Sequence, residues 1–214
     1  LDPLGTATGR FACRNPPLQS MPSLVREAVV ASPGHVLMAA DYSQIELRVL
    51  AHLSADQCLL DAFERGDDLH RIAAAAAFGV DEMEVTAGQR QLGKKLNFAM
   101  RYGQTPAALA REFNLSVQDA ESLLNAHATA YPQAAAWTAD TQSSVQLTGE
   151  VRTANCRRRF LPTIPAAHVG MVQEARRQTV ATAIQGTAAD IFKRAIIRLH
   201  DVRPTNVRII LCVH

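Results

Sequence analysis

The sequence predicts an α+β fold in which β-rich portions at either end flank one helical insertion. Three observations predict it. The apolar run Val36-Leu37-Met38-Ala39-Ala40 stops at Asp41 and passes into a helical pattern; helix signals then follow one another to about Gln146; and short strand patterns at 150–161 and 207–213 bracket one long helix.

Residues 1 to 22 are rich in Gly, Pro and Asn and read as irregular or short-stranded. Val36 to Asp41 reads as a buried strand and Gln44 to Leu53 as a helix. Asp56 caps a helix that ends at Gly66, Asp68 opens the next, and Thr86 precedes one that ends near Tyr102-Gly103. Thr105-Pro106 starts another, Ser116 to Asp119 resembles a capping box, and Pro132 falls in a first turn. Glu150 to Arg152 and Arg159 to Leu161 read as short strands around a turn. A long helix from about His168 to His200 and a last strand, Val207 to Val213, complete the order.

Among 214 residues, 48% are hydrophobic and 20% charged, which excludes a disordered or fibrous chain. The net charge of +2 hides an asymmetry: residues 1 to 150 carry 11 Lys/Arg against 17 Asp/Glu, residues 151 to 214 carry 11 against 3. The basic end is a candidate surface for a polyanion. Cys13, Cys58, Cys156 and Cys212 form no CxxC pair, so neither a zinc site nor a disulfide framework is suggested and a reducing, cytoplasmic setting is expected. No apolar run reaches the roughly 20 residues a membrane helix needs.

Arg90, Lys94, Phe98 and Tyr102 recur every four residues, so on a helix each lies about 40° around from the last. Two cations come first and two aromatics follow. Cations near a helix start oppose the macrodipole unless an anion sits there to use both. A triphosphate against the Arg/Lys end and a base or sugar against Phe98 would satisfy all four; a solvated cationic face with Phe98 and Tyr102 in the core is the bland alternative. Asp41, at a strand end, is a candidate Mg²⁺ ligand or an ordinary helix cap. Glu46, a second carboxylate five residues on within a helix, cannot share a metal with Asp41 without special geometry and otherwise reads as a solvated helix residue or a partner for Arg48 or His52.

Together DYSQIELR, from Asp41 to Arg48, and RxxxKxxxFxxxYG, from Arg90 to Gly103, resemble motifs A and B of the family A DNA polymerases. Thr6-Ala7-Thr8-Gly9-Arg10, Pro17 to Pro22, Asp68-Leu69-His70, Arg157 to Pro162 and Gln185 to Asp190 follow in the family's order. The resemblance runs end to end. It implies a right-hand polymerase fold, with palm over 1–55, helical fingers over 56–150, palm again over 151–214, and the thumb absent. It implies a DNA-directed DNA polymerase, of a bacterial cytoplasm or a phage-infected cell, that acts as a monomer on primer-template DNA and a dNTP with two Mg²⁺ ions.

By the same resemblance Asp41 and the Tyr42 main-chain carbonyl hold metal, Lys94 and Arg90 hold the triphosphate with His70, and Lys94 can protonate pyrophosphate. Phe98 packs on the nucleotide, Tyr102 lies where the template base enters, and Glu46 excludes a ribose 2′-hydroxyl. Arg10, Gln19, Arg177, Gln185 and His214 contact DNA. Cys156 stands where the family usually has Gly, and Ala99 likewise. The second catalytic carboxylate belongs to a Val-His-Asp-Glu strand, and this chain ends at Val213-His214, so a fragment inactive by itself is expected. A non-catalytic nucleic-acid-binding remnant and a single-subunit RNA polymerase relative are the alternatives.

Overall fold

Helix signals in the sequence depend on local caps, and the structure, a computed structural model describing residues 2–101, 104–161 and 169–212, forms its helices where those caps stand. The elements are α1 (Ser23–Arg26), α2 (Ile45–Ser54), α3 (Gln57–Arg65), α4 (Leu69–Phe78), α5 (Ala87–Arg101), α6 (Pro106–Phe113), α7 (Val117–Ala130), α8 (Pro132–Thr148), β1 (Glu150–Arg152), β2 (Arg158–Phe160) and α9 (Val169–Val202). Asp56, Thr105 and Ser116 each accept a backbone N–H in the first turn of the helix they precede, and Asp68 accepts two. Gly66 and Gly79 close α3 and α4 in the left-handed conformation.

One apolar core joins α2, α3, α4, α8 and α9 through Leu47, Leu50, Leu59, Leu69, Tyr131, Val180 and Ile184. A second, of Leu96, Ala99, Leu109 and Ala120, binds α5 to α6 and α7. Burying each such leucine contributes about 2 kcal/mol. Asp56 is fully buried because its carboxylate serves two helices: Oδ1 accepts from Leu59 N in α3 and Oδ2 from Ala134 N in α8. The α4–α5 crossing is tighter still. A side chain on Gly93 would run into the His70 carbonyl and come within 2.8 Å of Ala74 N, so only glycine permits this approach.

The antiparallel pair β1–β2, with Val151 opposite Arg159, is the one sheet among the described residues. Two expected strands are not formed. Residues 36–41 run unpaired with Val36 and Met38 each 86% exposed, and 207–212 are equally without ladder partners; Val213 lies outside the described residues. Apolar, β-prone sequence supplies only one side of a ladder, and neither segment meets a second. The long helix is present as α9, its expected start at His168 falling outside the described residues.

The arginine turn folds inward. Arg157 Nε donates to Asp190 Oδ1 at 2.8 Å, and its Nη2 to the carbonyls of Thr8 at 2.9 Å and Gly186 at 3.0 Å. Arg159 donates to Thr182 Oγ1 and Gln178 Oε1 on α9. The first and third arginines of this run are therefore ties between the hairpin, α9 and the N-terminal segment, and only Arg158, near Glu150, fits a solvated basic turn. Three short motifs distant in sequence, the described residues of which are 6–10, 157–161 and 185–190, meet here.

Candidate active site

The chain from Asp41 to Glu46 changes direction at Gln44, which takes a left-handed backbone, φ 57°, at the start of α2. A non-glycine residue there costs of order 1 kcal/mol, a strain the structure retains between the two acidic residues of interest. Asp41 and Tyr42 lie on the exposed side of this turn, whereas Glu46, one helical turn later, is 5% exposed. The Glu46 carboxylate pairs with Arg10 Nη2, not with Arg48 or His52. Two residues that the sequence singled out for different roles are thus in direct contact, and Arg10 fixes the carboxylate rather than standing open to solvent.

On α5 the face carrying Leu96, Asn97 and Ala99 is buried, and Lys94 and Phe98 are exposed. Phe98 is therefore not a core residue, contrary to the bland alternative; Tyr102 lies outside the described residues. The Lys94 ammonium stands 6.0 Å from the Phe98 ring centroid. Arg90 Nε donates to Asp68 Oδ2 at 2.5 Å. Burial alone would raise the Asp68 pKa, but hydrogen bonds from Arg90, Arg71 N and His70 N outweigh it and hold the carboxyl below its ordinary value. Asp68 thus caps α4 and aims Arg90 at once, and the first turn of α4 lies beside the cationic end of α5.

His70 is buried in that first turn, and Asn97 Nδ2 meets its Nδ1 at 3.0 Å. Asn97 Oδ1 in turn faces His127 Nε2 of α7 at 2.7 Å. Burial presses the His127 pKa down to about 4. The sequence reading missed Asn97 and His127: single polar residues inside helices carry no spacing signal, and only the α4–α5–α7 packing brings them together.

The expected DNA contacts are dispersed. Gln19 spends its amide internally, donating to the carbonyls of Phe11 and Cys212 at 3.0 Å each and accepting from Cys13 N. Arg177 pairs with Glu174 one turn away on α9, and Gln185 is buried in the same helix. His214 lies outside the described residues. Much of the positive balance of 151–214 is likewise engaged, since Arg157, Arg159 and Lys193 all donate to protein acceptors.

Mg²⁺ usually takes one or two carboxylates and completes its shell with phosphate oxygens and water. Asp41 with the Tyr42 carbonyl would supply two oxygens of that donor set, and among the described residues no group of three or more acidic, His or Cys side chains could hold a metal by itself. Nor, among them, is any helix long and apolar enough to cross a membrane.

The chain is similar to known proteins over nearly its whole length. DNA polymerase I of Pseudomonas aeruginosa is 38% identical over 217 residues, covering 97% of this chain and 24% of that protein. The thermostable DNA polymerase I of Thermus aquaticus is 35% identical, covering 98% and 26%. The chain spans about a quarter of the length of these curated relatives. Among solved structures, the POL domain of Pol1 from M. smegmatis, in complex with DNA primer-template and dNTP, superposes with a TM-score of 0.86 at 34% identity, covering 92% of this chain and 36% of that one. The family model for DNA polymerase family A matches residues 1–214, and the chain belongs to that family.

Proposed function

We propose that this chain is the nucleotide-binding portion of a DNA-directed DNA polymerase, which adds deoxynucleotides to a primer 3′-hydroxyl along a template. The observation that carries the reading is the row on α5 of half-buried Arg90, tied to Asp68, followed by exposed Lys94 and Phe98, set beside the capped first turn of α4. Residues 1–55 and 151–214 would then be palm and 56–150 fingers.

Lys94 and Arg90 bind the triphosphate of an incoming dNTP, and Asp68 keeps Arg90 oriented through Nε, so that its terminal nitrogens are the ones offered to phosphate. Phe98 supplies a flat apolar face for the sugar and base. Lys94 is the group able to give a proton to departing pyrophosphate. Glu46, locked by Arg10, crowds the sugar 2′ position and favours deoxyribose. Asp41 and the Tyr42 carbonyl would hold Mg²⁺ delivered with the triphosphate. Bound Mg²⁺ supplies charge neutralisation and alignment of the phosphates. Arg177 and Gln19 would face primer-template DNA once their internal bonds are exchanged, and Gln185 once it is uncovered.

The test is a titration of the chain with dATP and Mg²⁺, followed by NMR shifts. Saturable binding that weakens at least about tenfold in Lys94→Ala, one lost charge-assisted contact, is expected. Binding that is absent, or indifferent to removal of both Arg90 and Lys94, overturns the proposal.

A further inference from the structure

Asn97 lies on α5 between Lys94 and Phe98 but faces inward, 2% exposed. Its Nδ2 donates to the Leu69 carbonyl at 3.0 Å and meets His70 Nδ1 at 3.0 Å; its Oδ1 faces His127 Nε2 at 2.7 Å. A main-chain carbonyl can only accept, so the amide nitrogen, and not the oxygen, must face Leu69. The same NH₂ group then points a hydrogen at His70 Nδ1. That nitrogen must offer its lone pair, because a proton on it would set N–H against N–H. The proton of a neutral His70 ring is left on Nε2.

His127 locks the amide from the other side. It has to donate from Nε2 to reach Asn97 Oδ1, and its Nδ1 has no hydrogen-bond partner among the described residues. A second proton on that buried nitrogen would go unsatisfied, so the ring stays neutral and stays a donor. With both its oxygen and its nitrogen committed, Asn97 cannot flip. Three polar groups on α4, α5 and α7 form one chain of fixed polarity, running from His127 to His70.

We propose that Asn97 is a positioning residue that sets the tautomer and orientation of His70, so that Nε2–H is the donor His70 brings to the phosphates of a bound nucleotide. This rests on the reading of Arg90, Lys94 and His70 as the triphosphate site.

Long-range proton–nitrogen correlation spectra of the ¹⁵N-histidine-labelled chain test it, with the His70 signals assigned by their loss in His70→Gln. In the unmodified chain His70 is expected as the Nε2–H tautomer. An Nδ1–H form, or an exchanging mixture, overturns the proposal without any further variant. In Asn97→Asp, whose carboxylate donates to neither Leu69 nor His70, the ring proton is expected to move to Nδ1. If that variant does not fold, Asn97→Ser removes the amide without adding charge, and a tautomer unchanged from the unmodified chain in it is the overturning result. Addition of dATP and Mg²⁺ separates the two readings. A correct tautomer whose Nε2 signal ignores the nucleotide defeats the triphosphate site and leaves the Asn97 assignment standing, whereas a shifting signal from the wrong tautomer defeats Asn97 alone.

Discussion

The Thr153 methyl occupies the space that a side chain on Gly186 would need, and the Arg157 guanidinium crowds it from beside. A Cβ there would lie 3.1 Å from Arg157 Nη2 and 2.6 Å from Thr153 Cγ2. Thr153 cannot simply turn away, because its hydroxyl donates to Asp190 Oδ2 and accepts from Arg157 N. Gly186→Ala should therefore destabilise the chain by about 2 kcal/mol, the usual range for overpacking. Arg157→Lys, which keeps the charge but loses the fork reaching Asp190, Thr8 and Gly186, should cost about as much. Urea midpoints at constant m-value are the measurement, and two variants within a few tenths of a kcal/mol of wild type would show that the clamp is not needed.

Gly93 makes a sharper case. The atom that a β-carbon would strike is the main-chain carbonyl of His70, which no rotamer change can move aside. Gly93→Ala should force α4 from α5 and cost about 3 kcal/mol or more, at the upper end for overpacking. Separation of the helices would also pull Asn97 from Leu69 and His70. The check is the urea midpoint together with the nitrogen signals of His70, both of which are expected to change.

The helices were legible in the sequence because their signals are local: Asp56, Asp68, Thr105 and Ser116 each cap within three residues of themselves. Segments 36–41 and 207–212 were misread because β pairing is decided by a partner elsewhere, and an apolar run looks the same with or without one. The site was legible as a set of residue types. Its bonding was not: the partners of Arg10, Gln19, Arg157 and Asn97 lie 36, 193, 149 and 30 positions away in the longest case for each. Charge counting misled for a related reason, since it cannot tell an arginine turned to solvent from one, such as Arg159, bonded along a helix.

Cys156 holds φ 61° in the turn between β1 and β2, the left-handed region that suits glycine. The side chain is exposed, so its removal loses little packing. Cys156→Gly should relieve more strain in the folded state than it adds freedom to the unfolded one, for a gain of about 1 kcal/mol. Thermal and urea midpoints should both rise. A fall in both would mean that the backbone at this turn adopts its shape without strain.

His127 ties stability to pH. The unfolded ring has a pKa of 6.5 and the folded one about 4, because burial penalises the imidazolium. The fold favours the neutral form, so between these values the unfolded chain binds more protons. The contribution is complete above pH 6.5 and is lost as pH falls toward 4, by about 3 kcal/mol in total. Below that both states are protonated and the loss ends. Asp68 and other carboxylates also weaken the fold in acid, so the comparison must be with His127→Gln, whose amide can still donate to Asn97 Oδ1. Urea midpoints from pH 7.5 to 4 should fall more steeply for wild type than for His127→Gln, and the difference should vanish above pH 7. Parallel profiles would mean that the folded ring takes up its second proton as easily as the unfolded one, and the donor polarity assigned to the His127–Asn97–His70 chain would lose its support.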